Sequence, residues 1–275
     1  MGKKSLQGSR IAITGAGRGI GLATAKELHR RGALVVIGDV DESSAVAAAK
    51  SIGPGAEGFA VDVADYESFA LFHQNATTNG PLDVLINNAG IMPIGHFLDQ
   101  SPDTHRRAVQ INILGAINGM HLALPSMVAN GRGHIINIAS TAGKTPVPGG
   151  LTYCGTKSAV IALTETARVE FAGTGVEFTC VMPSFTNTEL ISGTKGMKLI
   201  PTVEPEDVAD AIARVIARPK ADVFVPQIVG TILKPQPLLG RGLRDWFNHI
   251  LGADKAFLDV DAKARSGYEN RISHD

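Results

Sequence analysis

Seven short apolar runs rich in β-branched residues punctuate the chain: "RIAIT", "LVVIGD", "EGFAVD", "DVLINN", "HIINIAS", "EFTCVMP" and "DVFVP". Their length and composition predict strands. Between them, apolar residues recur at helical spacing over 19–31, 43–51, 66–78, 103–129, 152–172 and 206–218. Strand, helix, strand repeated in this way implies right-handed crossovers and a parallel sheet covered by helices on both faces. The expected fold class is α/β: one doubly wound domain around a mostly parallel, seven-stranded sheet. In such sheets a ligand sits beyond the carboxyl ends of the strands, where the strand order reverses. The residues that follow each strand are therefore the ones to read for chemistry.

No composition shift or linker divides residues 1–227, which read as a single domain. Two regions stand apart from it: a helical-looking insertion over 188–201, and an extension over 228–275, also expected to be helical and to pack on the same domain or on a neighbouring subunit. Within the extension, "LLGRGLRDWFNHIL" sets Leu239, Leu243, Trp246, Phe247 and Ile250 at helical spacing, with Arg241 and Arg244 turned away. Such an apolar stripe has to be covered by something. The candidates are the protein's own core, a second subunit, a role as roof over the ligand site, or a membrane surface.

Composition narrows the partners. The 275 residues suit one large α/β domain. Formal net charge is +0, so no basic field gathers nucleic acid or anionic lipid. Cys154 and Cys180 are too few for a disulfide framework and lack metal-ligand spacing, which points to a reducing cytosol. His96, His105, His121 and His134 show no ligand spacing either, so no metal is expected. The opening "MGKKSLQGSR" lacks the apolar core of a signal peptide, and nowhere do about eighteen apolar residues run together. The expectation is a cytoplasmic protein without a membrane span.

The first strand runs into "TGAGRGIG", residues 14–21, and then a helix. Glycines there let the backbone turn tightly and approach a pyrophosphate, while the helix N-terminus offers free amides. The spacing is Gly15-x-x-x-Gly19-x-Gly21. Asp39 ends the second strand, where a carboxylate can accept hydrogen bonds from ribose hydroxyls and repel a 2′-phosphate. That favours NAD over NADP, although Arg18 in the loop could meet such a phosphate. Asp62, in "AVDV", stands where a side chain reaches an adenine ring or caps the helix before "ADYESF". In "TYCGTKSAV", Tyr153 and Lys157 lie four residues apart on one helix face. A cation beside a phenol favours the phenolate, bringing proton transfer toward neutral pH.

In order, these motifs resemble the short-chain dehydrogenase/reductase family over roughly residues 9–225. "TGAGRGIG" looks like that family's cofactor loop, and "NNAG", residues 87–90, like the sequence after its fourth strand. Asn112, Ser140, Tyr153 and Lys157 match its catalytic tetrad. The resemblance implies a Rossmann-type domain that binds NAD or NADP through Gly15, Arg18, Gly19, Ile20, Asp39, Asp62, Val63, Asn88, Ala89, Gly90, Tyr153, Lys157, Pro183 and Thr188. It implies that Tyr153 moves the proton while hydride passes to or from the nicotinamide. Lys157 would assist the phenol and hold ribose hydroxyls, Ser140 would donate to the substrate oxygen, and Asn112 would hold a water behind the lysine. One departure stands out: "PSFTNT", residues 183–188, has Ser184 where the family usually has glycine. "GIMPIGHF" and "KTPVPGG" add apolar side chains near the reaction centre. The expected substrate is a hydrophobic secondary alcohol or ketone, or an alcohol and aldehyde pair, of steroid, retinoid or fatty type. A homodimer or homotetramer through the helix of Tyr153 is also implied. The competing reading, a catalytically idle NAD-binding redox sensor or scaffold, has no physical need for all four tetrad residues.

Overall fold

The computed structural model describes residues 6–194, 196, 201–235, 239–250, 252 and 256–274. Much of the end of the expected insertion, 195 and 197–200, and the side chains of Arg244 and Phe247 lie outside the described residues. The chain begins β1 (Arg10–Thr14), α1 (Gly19–Arg30), β2 (Leu34–Asp39), α2 (Glu42–Ile52), β3 (Ala56–Ala60), α3 (Tyr66–Thr77) and β4 (Val84–Asn87). It continues with α4 (Pro102–Val109), α5 (Gly115–Ala129), β5 (Gly133–Ile138), α6 (Leu151–Glu170), β6 (Val176–Pro183), α7 (Pro205–Ala217) and β7 (Asp222–Val225). Three further helices follow: α8 (Gln227–Leu233), α9 (Arg241–Ile250) and α10 (Ala262–His274).

The seven strands form one sheet in the order β3-β2-β1-β4-β5-β6-β7. Every pairing between neighbours is parallel. The order reverses between β1 and β4, so their carboxyl ends open the crevice in which such sheets hold ligands. Successive side chains of a strand face opposite sides. Ile11 and Ile13 of β1 accordingly join the layer that contains Leu28 of α1 and Ile212 of α7, whereas Ala12 faces Phe69 and Phe72 of α3 and Met127 of α5.

Helix starts follow local chemistry. Asp41, Asp65 and Ser101 accept hydrogen bonds from the first-turn amides of α2, α3 and α4. Glu204 and Asp207 form a reciprocal capping box at α7. The cap of α3 is thus Asp65; Asp62 instead accepts from the Ala64 amide at 2.9 Å and stands two residues beyond β3. The helix expected over 103–129 is one rod interrupted by a π-helical turn, Gln110–Leu114, that carries Asn112. Extra residues of this kind recur at functional sites. This rod, Pro102–Ala129, is long and apolar enough to cross a membrane by length and composition, yet 44% of its most apolar window is buried within the protein.

Among its described residues, the expected insertion contributes a short 3-10 turn, Glu189–Ile191. The extension divides in two. Leu239, Leu243, Trp246 and Ile250, on or beside α9, remain 37% to 58% exposed, so these described residues of the stripe are not buried in the protein's own core. Ala256, Phe257 and Tyr268, in contrast, are buried against the main domain.

Candidate active site

A cavity of ≈ 770 Å³ opens at the carboxyl ends of β1 and β4. It is lined by Gly15, Arg18, Gly19, Ile20, Asp39, Asp62, Val63, Asn88, Ala89 and Gly90 at one end. Ser140, Tyr153, Lys157 and Pro183 line it at the other, and Thr188 borders the glycine loop. The two groups come together because all but Lys157, in the second turn of α6, stand at a strand's carboxyl end, in the loop after it or at the start of the next helix.

The glycine loop is built for close approach. Gly15 has φ 62°, the left-handed region, and a Cβ there would lie 2.7 Å from the Ala89 Cα. Asn88 holds the loop from the other side, donating from Nδ2 to the carbonyls of Thr14 and Gly15 at 2.9 Å each. Gly17 donates its amide to Asp39 Oδ2 at 2.8 Å, where a side chain would collide with the same carboxylate. Gly17 therefore belongs with Gly15, Gly19 and Gly21, and its signal was its place in the same quoted loop. No side chain caps α1, so its first amides face the crevice unpaired by the protein. That arrangement suits a pyrophosphate.

Charge at this end is arranged around Asp39, which is 7% exposed. The Arg18 guanidinium lies 3.5 Å from Asp41 Oδ2 and 3.9 Å from Glu189 Oε2 and donates to Ser44 Oγ at 3.3 Å. Its charge is thus shared between two carboxylates. Thr188 faces the loop across the cleft, its Cγ2 3.4 Å from where a Gly19 Cβ would stand. Ser184, in the position usual for glycine, ties its loop to β7 by donating to the Val225 carbonyl at 2.8 Å.

At the other end, Tyr153 and Lys157 are 5% exposed and share one face of α6. Lys157 Nζ sits 5.8 Å from the centre of the Tyr153 ring and donates to the Ile138 carbonyl at 2.8 Å. In the chain by itself, burial outweighs the attraction expected from the sequence. Desolvation pushes Tyr153 up to about 12, while its hydrogen bond with Ser140 pulls the other way. The same burial brings Lys157 down to about 8. Burial thus makes the phenol hold its proton more tightly than it would in water.

Asn112 does not border the main cavity. Its Oδ1 accepts from the Ile91 amide at 2.8 Å, and its Nδ2 donates to the Ile91 carbonyl at 2.9 Å and to Thr156 Oγ1 at 3.0 Å. Both donors are used, so the side chain clamps the segment after β4 that walls the site and keeps only acceptor capacity for a water. A small space of ≈ 10 Å³ bordered by Asn112 and Ile138 lies behind it, at the lower limit for a single water.

The reaction end is covered by residues that local patterns do not reveal. Phe257 packs edge-on against the Tyr153 ring and also touches Phe185, within an apolar group that includes Met92, Ile94 and Val147. Gly149 and Gly150, from "KTPVPGG", make room for it, since a Cβ on either would stand within 2.7 Å of Phe257. Arg265, only 2% exposed, donates to the carbonyls of Leu190 at 2.9 Å, Ser192 at 3.1 Å and Met92, and pairs with Glu269. One buried guanidinium thus ties α10 to both loops beside the cavity. Among the described residues, no group of histidines, cysteines and carboxylates could hold a metal ion.

The cavity fits a nicotinamide dinucleotide on these grounds: an uncapped helix start behind a glycine cradle, a carboxylate at the second strand, and Tyr153 with Lys157 at the far end. Such a cofactor supplies the hydride chemistry when bound. Gly15 to Gly19 would hold its phosphates and Lys157 its nicotinamide ribose, which would leave Tyr153 and Ser140 to face a substrate oxygen.

Comparison with known proteins agrees with this arrangement. The family described as short chain dehydrogenase matches residues 9–197. Estradiol 17-beta-dehydrogenase 11 of Mus musculus is 31% identical over 277 residues, covering 98% of this chain and 90% of its own. Ketoacyl reductase HetN of Nostoc sp. is 34% identical over 230 residues, covering 81% of this chain and 80% of its own. Among solved structures, a short chain dehydrogenase/reductase from Burkholderia phymatum in complex with NAD superposes with a TM-score of 0.76 at 25% identity, covering 83% of this chain and 93% of that one. A 3-ketoacyl-(acyl-carrier-protein) reductase from Brucella melitensis complexed with NADH does so with 0.72 at 29%, covering 80% and 98%. With the family match spanning more than half its length and close to a third of its residues shared with full-length relatives, this chain belongs to the short-chain dehydrogenase family of oxidoreductases.

Proposed function

We propose that the protein is an NAD-preferring alcohol dehydrogenase or carbonyl reductase whose substrate is a bulky hydrophobic secondary alcohol or ketone, or the corresponding alcohol and aldehyde. The observation that carries this reading is Phe257 standing against Tyr153, with Met92, Ile94, Val147 and Phe185 around it, because it makes the wall at the proton-transfer group apolar. Ser140 and Tyr153 both present hydroxyls to the same point, where negative charge develops on a carbonyl oxygen during reduction.

Preference for NAD is supported by the buried Asp39 and by the sharing of Arg18 between Asp41 and Glu189. A homo-oligomer is supported by exposed apolar residues on the outer helices, among them Ile117 and Val128 of α5 and Val169 of α6. A reducing, cytoplasmic location is supported by two unpaired cysteines. The exposed Leu243, Trp246 and Ile250 support peripheral contact with a membrane surface. The central test is a screen of short, long-chain and polycyclic alcohols and ketones with NAD and with NADP, following the absorbance of reduced cofactor. Turnover restricted to short alcohols, or a preference for NADP, would overturn the corresponding part of the reading.

A further inference from the structure

Helix α10 lines the cavity with Tyr268, Arg271 and Ile272, and the reaction uses neither polar side chain. Tyr268 is 7% exposed, lines the cavity and accepts a hydrogen bond from the Met92 amide at 2.7 Å. A phenol can both accept and donate. Of the charged groups near the ring, the Glu269 carboxylate is held by Arg265, and the other two are cations: the Arg265 guanidinium lies 4.6 Å from the ring centre and that of Arg271 5.9 Å. Guanidinium groups are donors only. Among the described residues no acceptor meets the Tyr268 O–H, and a buried donor without a partner is costly. The side on which an acceptor can stand is the cavity.

We infer that Tyr268 is a specificity-determining residue that donates a hydrogen bond to a substrate oxygen other than the carbonyl or alcohol oxygen that reacts at Tyr153. The inference rests on the hydrophobic-substrate reading above and sharpens it: the substrate is an apolar body with a second oxygen. That oxygen is neutral, a hydroxyl, ketone or ether. Both cations beside the Tyr268 ring already have carboxylate partners, Arg265 with Glu269 and Arg271 with Glu189, so neither is free to attract an anionic group.

The test uses a medium-chain methyl ketone and its ω-hydroxy derivative on the intact protein. A neutral hydrogen bond of this kind corresponds to about a fivefold to tenfold preference. The wild type should favour the ω-hydroxy ketone by that factor in kcat/KM, and Tyr268→Phe should bring the ratio close to unity. Damage to the Met92 loop alone would lower both values and leave their ratio as it was. Calorimetric titration of the same two ketones into the NAD-saturated protein reads the same ratio in Kd without turnover. An absence of turnover with either ketone therefore counts against the hydride-transfer reading, while the ratio of Kd values still decides on Tyr268. A wild type without preference for the hydroxylated ketone, or a Tyr268→Phe protein that keeps the preference, overturns the inference.

Discussion

The ring of Phe257 stands edge-on to the ring of Tyr153, with centroids 6.5 Å apart and planes at 76°. A residue of the C-terminal extension thus forms the apolar wall at the phenol expected to move the proton. Phe257→Ala removes that wall and leaves a cavity, so a stability loss of about 3–5 kcal/mol is expected in denaturant titration. In the folded fraction, the preference for long apolar over short substrates should fall by about tenfold, the lower end of what apolar pocket contacts supply. Equal losses for both substrate classes would mean that Phe257 only supports the fold.

Tyr153→Phe keeps the ring and its packing but removes the transferable proton. Turnover should fall by about two orders of magnitude or more, within the range of general acid-base contributions. Binding of NAD, followed by calorimetry, should persist. Retention of more than about half of the wild-type rate, with chemistry limiting, would remove Tyr153 from the proton-transfer role.

Asp39 accepts from the Gly17 amide while presenting negative charge to the crevice. Asp39→Asn retains an acceptor for Gly17 and deletes the charge; Asp39→Ala deletes both. If charge repulsion sets the cofactor preference, both variants narrow the gap between NAD and NADP, mostly in KM, and only Asp39→Ala loses further affinity for both cofactors. A wild type already favouring NADP would show that Arg18 governs the choice.

Burial of Lys157 gives a pH signature. Its folded value of about 8 lies below the ordinary 10.5. Between these values the unfolded chain holds a proton that the folded chain has released, so this group's contribution to stability rises with pH across that window. Tyr153 acts oppositely and only above 10.0, where the unfolded phenol ionises while the folded one stays protonated up to about 12. Thermal unfolding of wild type and Lys157→Met from pH ~7 to ~10 should show the wild type gaining on the variant above pH ~8. Parallel curves would mean that Lys157 keeps an ordinary affinity for its proton.

Much of the frame is legible in local pattern. The seven runs from "RIAIT" to "DVFVP" became the seven strands, because a residue between two helical layers must be apolar on both sides wherever it falls. The glycine loop, Asp39, Ser140, Tyr153 and Lys157 could be singled out because each stands at a strand end or helix start. Asp62 shows the limit. A carboxylate before a helix is a plausible cap, but only the path of the chain past Ala60 decides that Asp65 takes the role.

What the sequence determined by itself was therefore the parallel sheet, the nucleotide crevice and the candidates for proton transfer, all of which depend on neighbours a few residues apart. Tertiary structure alone decided that Asn112 spends its amide on Ile91, that Phe257 and Tyr268 wall the cavity, and that the stripe of α9 stays uncovered. It also decided the proton affinities of Tyr153 and Lys157. Helical spacing can bring a cation near a phenol, but the loss of water around both comes from loops and a tail distant in sequence. In this buried site, desolvation outweighs the attraction.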